Sequence, residues 1–468
     1  MISTTLAWIA QQVNGRLEGE DAPISAVSTD TRTLDAGALY LALKGANFDG
    51  HQFVEAAEKA GAKAILASDP VTSALPVIYV EDTKQALGQL GAAVKREVNP
   101  KTIAITGSSG KTTVKEMCAA ILARRGNVLA TAGNFNNDIG VPLTLLRLTP
   151  EHEYAVVELG ANHLGEIAYT TGLTKPDVAT IVNAAAAHLE GFGSLLGVAR
   201  AKSEIFKGLG KKGLAIVNED SQFADFWLGK LKHQPVQTFA PDSQNPAAGF
   251  YATDISIDLN GCAEFALHSV RGTTDIRLVI PGMHNVGNAL VAAALTMAVG
   301  ATLEDVKYGL LSMQQVSGRL KVVPLTEQVR ILDDSYNANV GSVKAAIDTL
   351  ASFAGRRVLV LGDMAELGEK ARFYHEQVGQ YAREKSIDCL YTVGVLSQSA
   401  TTAFGDNGYH FSELDALIAA LEADFAHEQC DLTLLVKGSR SARMERVITA
   451  LEESPLGKLN RRRERIAC

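Results

Sequence analysis

The residues best suited to chemistry form one short string, residues 106–113, which reads T-G-S-S-G-K-T-T. An apolar run at 102–106 precedes it and a helical pattern at 114–125 follows it, so a strand, a loop and a helix are predicted in that order. Glycines in such a loop let successive backbone N–H groups point at phosphate oxygens, and the helix N-terminus adds positive potential. The predicted nucleotide-phosphate site consists of Gly107, Ser108, Ser109, Gly110, Lys111, Thr112 and Thr113.

This loop is shorter than the common phosphate-loop pattern. That pattern has a glycine five residues before its second glycine, where this chain has Ile105, so the string reduces to G-x-x-G-K-T. The alternative is a Gly-Ser turn that merely caps a helix. The Lys-Thr-Thr that follows favours nucleotide binding, because Lys111 supplies a movable charge and the Thr112 hydroxyl is a suitable ligand for Mg²⁺.

Further polar residues follow other predicted strands and open a predicted helix. Glu158 lies at the end of the apolar run that begins at Ala155, and His188 follows the run 178–182. Ligands of open α/β sheets lie at this carboxyl edge, although a solvated acid and a packing histidine are the plainer interpretations. Asn285 and Asn288 are three apart, so they share one helix face, where amides suit an adenine edge. Capping of the helix by Asn285 is the alternative.

The elements that must position these residues divide the chain into three α/β segments. The first, residues 1–83, has short strands at 38–43, 64–67 and 77–80 and a helix at 51–61. The second, residues 84–313, has a helix at 84–98 and strands at 102–106, 155–159, 178–182 and 214–217. It continues with a helix at 198–206, an antiparallel patch at 249–280 and a helix at 285–299. Strands that alternate with helices predict a mostly parallel central sheet.

The third segment, residues 314–455, repeats this alternation as a doubly wound, Rossmann-like unit. Its predicted strands are 331–333, 357–361, 389–393 and 432–436, and its predicted helices are 342–353, 372–385 and 441–452. The basic stretch at 456–468 has no pattern and is predicted to be a disordered tail. The fold class is therefore α/β in three domains.

Composition excludes several classes of protein. The net charge is −8, from 52 acidic against 44 basic residues, which argues against a broad nucleic-acid surface. The N-terminus shows no signal peptide, and nowhere do about 18 apolar residues follow one another as a membrane span requires. The five cysteines are scattered and never paired as C-x-x-C. We expect a cytoplasmic protein with reduced thiols, working as a monomer.

A set of strings in fixed order carries a family resemblance over about residues 1–453. They are S-T-D-T-R at 28–32, A-L-K-G at 42–45, F-D-G-H at 48–51, the phosphate loop, G-N-F-N-N at 133–137, V-E-L-G-A-N-H at 157–163, A-H-L-E-G at 187–191, A-K-S-E at 201–204, G-M-H-N-V-G-N at 282–288, S-G-R at 317–319, D-D-S-Y-N-A-N at 333–339 and K-G-S-R at 437–440. Together they resemble the muramyl ligases of peptidoglycan synthesis. Within that family they look specifically like the strings of the member that joins D-alanyl-D-alanine to UDP-N-acetylmuramoyl-tripeptide.

The resemblance implies an ATP-dependent ligase that activates a carboxylate as an acyl phosphate. The first domain would hold the UDP end of the substrate, the second ATP and Mg²⁺, and the third the incoming amine. Two Mg²⁺ ions would be bound through Thr112, Glu158, His188 and Lys202, with Lys202 carbamylated by CO₂. The resemblance makes Lys111, Lys202, His188 and Glu158 the catalytic residues.

The remaining site residues also come from the resemblance. Asn285 and Asn288 would face adenine, Arg319 and Asp334 the phosphate and ribose, and Tyr336 the nucleoside. The UDP group would contact Ser28, Arg32, Lys44, Gly45, Asp49 and His51, although a structural turn explains Asp49 and Gly50 equally well. The muramyl peptide would contact Asn134, Asn137 and His163. The carboxylate of the dipeptide would contact Lys437 or Arg440, with a helix-capping turn as the alternative.

Three other functions compete with this one. The ligase that adds the third amino acid typically has D-Y-A-H-T-P where this chain has D-S-Y-N-A-N, and its D-N-P-R element does not occur here. Folate polyglutamate ligases share the loop but lack the first domain. A nucleotide-gated binding module without catalysis would not need Glu158, His188 and Lys202. The identity of the third residue of the tripeptide, diaminopimelate or lysine, stays open.

Overall fold

A computed structural model of the chain describes residues 1–45, 48–186, 189–426, 428, 430–455 and 457–458. These residues form three main sheets, which follow one another along the chain, and a two-stranded ribbon. The predicted basic tail lies almost entirely outside the described residues. No helix in the described ranges combines the length and the apolar character that crossing a bilayer demands.

The first sheet is small and mixed, with the strand order β2-β7-β6-β5-β4. The chain begins with a ribbon strand and a short helix, and its elements to residue 79 are β1 (Thr4–Thr5), α1 (Leu6–Gln12), β2 (Arg16–Glu18), β3 (Pro23–Ile24), β4 (Val27–Ser28), β5 (Leu39–Leu41), a 3₁₀ turn (Gly50–Phe53), α2 (Val54–Lys59), β6 (Ala64–Ala67) and β7 (Val77–Tyr79). The strands β5 and β6 are fully buried, because apolar residues on both faces of a parallel strand are covered.

The central sheet has nine strands in the order β16-β15-β14-β13-β12-β11-β8-β10-β9. Its elements are α3 (Thr83–Val98), β8 (Lys101–Thr106), α4 (Lys111–Leu122), β9 (Val128–Ala130), α5 (Gly140–Leu146), β10 (Tyr154–Glu158), α6 (Glu166–Thr174), β11 (Val178–Ile181), α7 (Leu189–Phe192), α8 (Leu195–Ser203), a 3₁₀ turn (Glu204–Gly208), β12 (Leu214–Asn218), α9 (Ala224–Lys230), β13 (Val236–Ala240), β14 (Phe250–Ile257), β15 (Cys262–Ser269), β16 (Gly272–Pro281), α10 (His284–Ala298) and α11 (Leu303–Leu311). Strands β8 to β13 run parallel, and β14 to β16 form the predicted antiparallel patch.

The third sheet has six strands in the order β17-β18-β22-β19-β20-β21, with only the edge strand β17 antiparallel. Its elements are β17 (Lys321–Pro324), β18 (Val329–Asp334), α12 (Val340–Ala351), β19 (Arg356–Gly362), a 3₁₀ turn (Gly368–Lys370), α13 (Ala371–Glu384), β20 (Cys389–Val393), α14 (Gln398–Phe404), β21 (Gly408–Phe411), α15 (Leu414–Phe425), β22 (Leu432–Lys437), a 3₁₀ turn (Arg440–Ala442) and α16 (Glu445–Glu453). The fold class predicted from the sequence is confirmed, while the domain boundaries stay a prediction.

Several predicted helices have the wrong bounds, and two of them show the cause. The helix predicted at 198–206 ends at Ser203, because the Glu204 carboxylate turns away and accepts the N–H groups of Gly165 at 3.0 Å and Ala168 at 3.1 Å, at the start of α6. The helix predicted at 441–452 begins only at Glu445, since Arg443 has a left-handed backbone (φ +50°). That turn places Met444 in the core with no exposure to solvent.

Candidate active site

The phosphate loop joins the buried strand β8 to helix α4. Gly110 has φ +78°, which permits the abrupt change from loop to helix, and α4 therefore begins at Lys111 instead of the predicted Val114. The first N–H of the helix with a backbone partner is that of Val114, which donates to the Gly110 carbonyl at 2.9 Å. The N–H groups of residues 110–113 consequently precede the hydrogen-bonded ladder, where helices bind anions.

Lys111 lies inside this loop and not on the surface. Its ammonium donates to the Gly107 carbonyl at 2.8 Å. Burial lowers its pKa from the ordinary lysine value, and the nearby carboxylate of Glu158 partly opposes that shift. A positive charge held in such a poorly solvated place attracts phosphate oxygens more strongly than it would in open water.

Glu158 and Thr112 form a side-by-side pair of oxygen ligands. Parallel pairing of β10 with β8 sets Glu158 beside Ile105, one strand away from the loop. The Thr112 hydroxyl donates to Glu158 Oε2 at 2.9 Å, and the Asn136 amide donates to Glu158 Oε1 at 2.9 Å. A buried carboxylate with an adjacent hydroxyl fits the oxygen preference of Mg²⁺. Asn136 was missed in the sequence, which offered several asparagines in one string and no means of choosing among them.

Lys202 is buried near the end of α8. Its side chain is almost fully enclosed, and within the ranges that the structure describes its ammonium makes no hydrogen bond. Burial lowers its pKa well below the ordinary lysine value, and the positive charge of Lys111 lowers it further. The structure thus brings Lys202 and Lys111 together. His188, the other predicted metal ligand, lies outside the described residues.

Side chains of the third segment reach the phosphate loop. Arg319 Nη2 donates to the Thr112 hydroxyl at 3.4 Å, and the Arg319 guanidinium lies over the Tyr336 ring at 4.4 Å. Asn339, a second residue that the sequence did not single out, donates its side-chain N–H to the Ser108 carbonyl at 3.3 Å. A cleft of about 350 Å³ opens here between the loop and residues of the third segment, with Arg440 on its wall.

Asp334 and Lys437 form a buried ion pair. The Lys437 ammonium donates to the Asp334 carboxylate and, at 2.9 Å, to the Asn337 carbonyl. Asp334 therefore has Lys437 as its partner, yet Asp334 and Arg319 line one cleft, and their contact with the phosphate and ribose stays a prediction. Lys437 is also enclosed by protein, whereas Arg440 is exposed and pairs with Glu445 at 3.0 Å. Of the two cations predicted for the dipeptide carboxylate, Arg440 is the accessible one.

A second cleft, of about 530 Å³, lies between the central sheet and α12. Its wall includes Asn183, His284 and Asn288. Asn285 donates to the Pro281 carbonyl at 2.7 Å and accepts from the Asn288 amide at 2.8 Å, so it orients Asn288. The alternative in which Asn285 caps the helix is wrong, because α10 begins at His284 and no side chain caps it. Binding of the nucleoside in this cleft stays a prediction.

The six residues predicted for the UDP group lie in the first sheet region. Ser28 bonds to the Asp30 carbonyl, and the Arg32 guanidinium lowers the pKa of the Asp30 carboxyl to about 2. Lys44 pairs with Asp69 at 2.6 Å, and the Gly45 N–H donates to the Phe48 carbonyl at 2.7 Å.

His51 has both ring nitrogens engaged. Nδ1 lies 2.6 Å from the Asp49 carboxylate, and Nε2 accepts the N–H groups of Ser68 and Asp69 at 3.0 and 3.2 Å. The Asp49 side chain also accepts the His51 N–H, which caps a 3₁₀ turn. These bonds agree with the structural-turn alternative, so substrate contact by Asp49 and His51 stays a prediction.

The three residues predicted for the muramyl peptide each have different surroundings. Asn134 is exposed to solvent, and the Asn137 side chain accepts the Gly140 N–H at 2.8 Å. His163 is exposed, with Nδ1 3.2 Å from Glu166 Oε1. Their role in binding substrate stays a prediction.

Three domains, a shortened phosphate loop and an adjoining hydroxyl–carboxylate pair define a nucleotide-binding α/β enzyme. Family models agree along the chain: the Mur ligase family catalytic domain matches residues 23–124, the Mur ligase middle domain 105–296, and the Mur ligase glutamate ligase domain 318–440. The chain belongs to the Mur ligase family of ATP-dependent ligases.

Comparison with individual relatives indicates which member of the family the chain resembles. The chain is 52% identical over 454 residues to the UDP-N-acetylmuramoyl-tripeptide–D-alanyl-D-alanine ligase of Escherichia coli K12, covering 97% of this chain and 99% of the relative. A crystal structure of MurF from Acinetobacter baumannii matches with a TM-score of 0.91 and 36% identity, over 97% of this chain and 99% of that one. The MurF ligase of Thermotoga maritima in complex with ADP matches at TM-score 0.81 and 25% identity, over 92% and 98%.

Proposed function

We infer that this chain joins D-alanyl-D-alanine to UDP-N-acetylmuramoyl-tripeptide with ATP, giving the pentapeptide precursor of peptidoglycan, ADP and phosphate. The observation that carries the inference is the meeting of Thr112, Glu158 and Arg319 at the phosphate loop, beside a cleft that also includes Arg440. The 52% identity to the E. coli ligase over nearly the full length supports the choice of substrates. We propose that it acts in the cytoplasm, where ATP is available, and as a monomer.

The reaction needs positive charge around a phosphoryl group that moves between two anions. The N–H groups of residues 110–113 and the Lys111 ammonium hold the phosphates of ATP from the central domain. Arg319 approaches the same place from the third domain, with its guanidinium fixed by the Tyr336 ring. The γ-phosphoryl group passes to the tripeptide carboxylate, the amine of the dipeptide attacks the acyl phosphate, and phosphate leaves.

Bound Mg²⁺ would neutralise the developing charge on the transferring phosphate oxygens. The donor set fits the ion, because Thr112 and Glu158 present a hydroxyl and a carboxylate that already contact each other at 2.9 Å. We propose that these two residues hold one Mg²⁺ and that His188 with a modified Lys202 holds a second.

We propose further that Lys202 is carbamylated. An ammonium beside Lys111 would repel a cation, while burial favours the neutral amine that carbamylation requires. The Lys202 ammonium first loses one proton, and the neutral amine nitrogen then adds to the carbon of CO₂ and releases a second proton. The product is an anion with two oxygen acceptors. The alternative is that Lys202 stays a cation that binds the γ-phosphate.

Chemical rescue separates these two roles of Lys202. The variant Lys202→Ala should be nearly inactive and should recover activity with acetate but not with an alkylamine. Lys230→Ala is a matched control, because its ammonium also lies near α8, where it donates to the Ser203 hydroxyl at 2.9 Å, yet it is not part of the site. Recovery with the amine alone would show that Lys202 acts as a plain cation.

The function itself is tested by phosphate release from ATP. Release should require UDP-muramyl tripeptide and D-alanyl-D-alanine together, and neither alone should support it. Tripeptides that end in diaminopimelate or in lysine, assayed in parallel, identify the accepted third residue. Activity with UDP-muramyl dipeptide and a single amino acid would instead assign the preceding ligation step. Light scattering measures the mass of the protein in solution and so tests whether it is a monomer. ATP binding without turnover under any combination would favour a nucleotide-gated binding module.

A further inference from the structure

The backbone of the phosphate loop is tied to the residues that follow β11. The Ser108 N–H donates to the Asn183 carbonyl at 3.1 Å, and the Ser108 hydroxyl donates to the Ala185 carbonyl at 3.0 Å while accepting the Ala185 N–H at 2.9 Å. These bonds join two segments that are more than 70 residues apart in the chain. The first half of the loop is therefore part of the sheet edge before any nucleotide arrives.

The Asn183 side chain completes this attachment. Its Oδ1 accepts the N–H of Ser108 at 3.1 Å and that of Ser109 at 3.0 Å, and its Nδ2 donates to the Ser109 carbonyl at 3.2 Å. The Ser109 hydroxyl also lies 3.3 Å from Oδ1. One amide side chain thus occupies the two N–H groups that a longer phosphate loop would turn toward its ligand.

We propose that Asn183 is a positioning residue that anchors the shortened loop, so that only residues 110–113 and the Lys111 ammonium receive the phosphates. The loop lacks the residues that let longer versions wrap a phosphate, and the anchor supplies the missing rigidity. Ser108 and Ser109, both predicted from the sequence to bind the nucleotide, then contribute no backbone N–H to it. This inference rests on the proposed use of ATP and names one more residue that the reaction requires.

In the opposite role Asn183 would be a plug, which occupies the N–H groups of Ser108 and Ser109 only until phosphate binds and then moves away. The backbone bonds of Ser108 to residues 183 and 185 argue against it, because they keep the Ser108 N–H directed at residue 183, where the Asn183 side chain then holds Ser109 as well. The two roles predict opposite effects on affinity. Removing an anchor weakens nucleotide binding, since the phosphate-binding N–H groups lose their fixed orientation, whereas removing a plug strengthens it.

Hydrogen–deuterium exchange of the unmodified, nucleotide-free protein tests the anchor without any substitution. The N–H groups of Ser108 and Ser109 should exchange slowly before nucleotide is added, and ADP with Mg²⁺ should newly protect residues 110–113. Fast exchange at Ser108 and Ser109 that slows only when ADP binds would overturn the proposal, because these N–H groups would then be phosphate donors.

Calorimetry of Asn183→Ala gives the second test. Loss of the two accepted N–H bonds should raise the ADP dissociation constant about tenfold or more. The KM for ATP should rise with it, while the KM for D-alanyl-D-alanine stays within about twofold. Asn407→Ala is the control, since its amide also bonds a backbone carbonyl (Asp388, 3.1 Å) but lies far along the third sheet.

The outcomes separate the anchor from the proposed function. Unaltered or tighter ADP binding by Asn183→Ala, at an unchanged melting temperature, would overturn the anchor alone. Absence of ADP binding by the unmodified protein would overturn the proposed function as well. A general loss of affinity for all three substrates in Asn183→Ala would identify a merely structural residue.

Discussion

Replacing Lys437 by methionine should destabilise the protein far more than it alters the affinity for the dipeptide. The ammonium is enclosed and its bonds go to the Asp334 carboxylate and the Asn337 carbonyl, at the point where β18 and β22 run in parallel. Methionine fills a similar volume, so little packing is lost. The substitution leaves Asp334 buried without its cation.

Breaking a buried pair by removing one partner costs about 3–5 kcal/mol. For a cooperative unit of about 150–250 residues, this corresponds to a fall of about 6–20 °C in apparent melting temperature. Differential scanning fluorimetry measures this fall in melting temperature directly. Adding Asp334→Asn to Lys437→Met should recover much of the loss, because the uncompensated charge is then removed, and the double-mutant cycle gives the coupling.

Lys385→Met is the matched control, because Lys385 pairs with Asp348 at 2.6 Å on the surface of the same sheet domain, where ion pairs contribute little. The melting temperature of Lys385→Met should stay close to that of the unmodified protein. A Lys437→Met variant that melts normally but has a much higher KM for D-alanyl-D-alanine would refute the reasoning. Lys437 would then bind the dipeptide carboxylate.

Three further changes test the site and its surroundings. Lys111→Ala should keep the fold and lower turnover by about two to three orders of magnitude, because the transferring phosphoryl group loses its contact with the Lys111 ammonium. Near-normal turnover would contradict the assignment of residues 106–113 as the phosphate-binding loop. Arg440→Ala should raise the KM for D-alanyl-D-alanine much more than the KM for ATP, whereas Arg446→Ala, also an exposed helix-region arginine, should raise neither; equal effects on both KM values would indicate the helix-capping turn. His375 is fully buried with its Nε2 accepting the Met364 N–H at 2.9 Å, and burial lowers its pKa, so the unfolded chain binds its proton first on acidification. Stability should therefore fall as the pH drops below about 6.5, and less steeply in His375→Gln; identical pH profiles of melting temperature would contradict this.

Much of the fold follows from local patterns in the sequence. The runs at 64–67 and 389–393 are strands with the predicted bounds, because apolar runs of four or five residues between polar residues are too short for a typical helix and match a buried strand. The strand, loop and helix around Lys111 were predictable for the same reason. The phosphate loop and the position of Glu158 beside it needed only the rule that parallel strands end at one edge.

Contacts between distant residues could be decided only by the tertiary structure. Thr112 and Arg319 are 207 residues apart, and Lys437 and Asp334 are 103 apart, so no local period relates them. The family resemblance offered Lys437 or Arg440 for the dipeptide carboxylate, and nothing nearby in the chain reveals the buried partner of Lys437. The early end of α8 has the same origin, since Glu204 binds the start of α6 across the fold.

Asparagine shows this division most clearly. The sequence identified strings rich in asparagine at 133–137 and 333–339, and the structure selects Asn136 for Glu158 and Asn339 for the loop. Periodicity indicates which face of an element is apolar. The side-chain amide of an asparagine, in contrast, can form a turn, cap a helix or bind a ligand. Its role depends on which backbone groups the packed elements bring within about 3 Å, and that is a property of the folded chain.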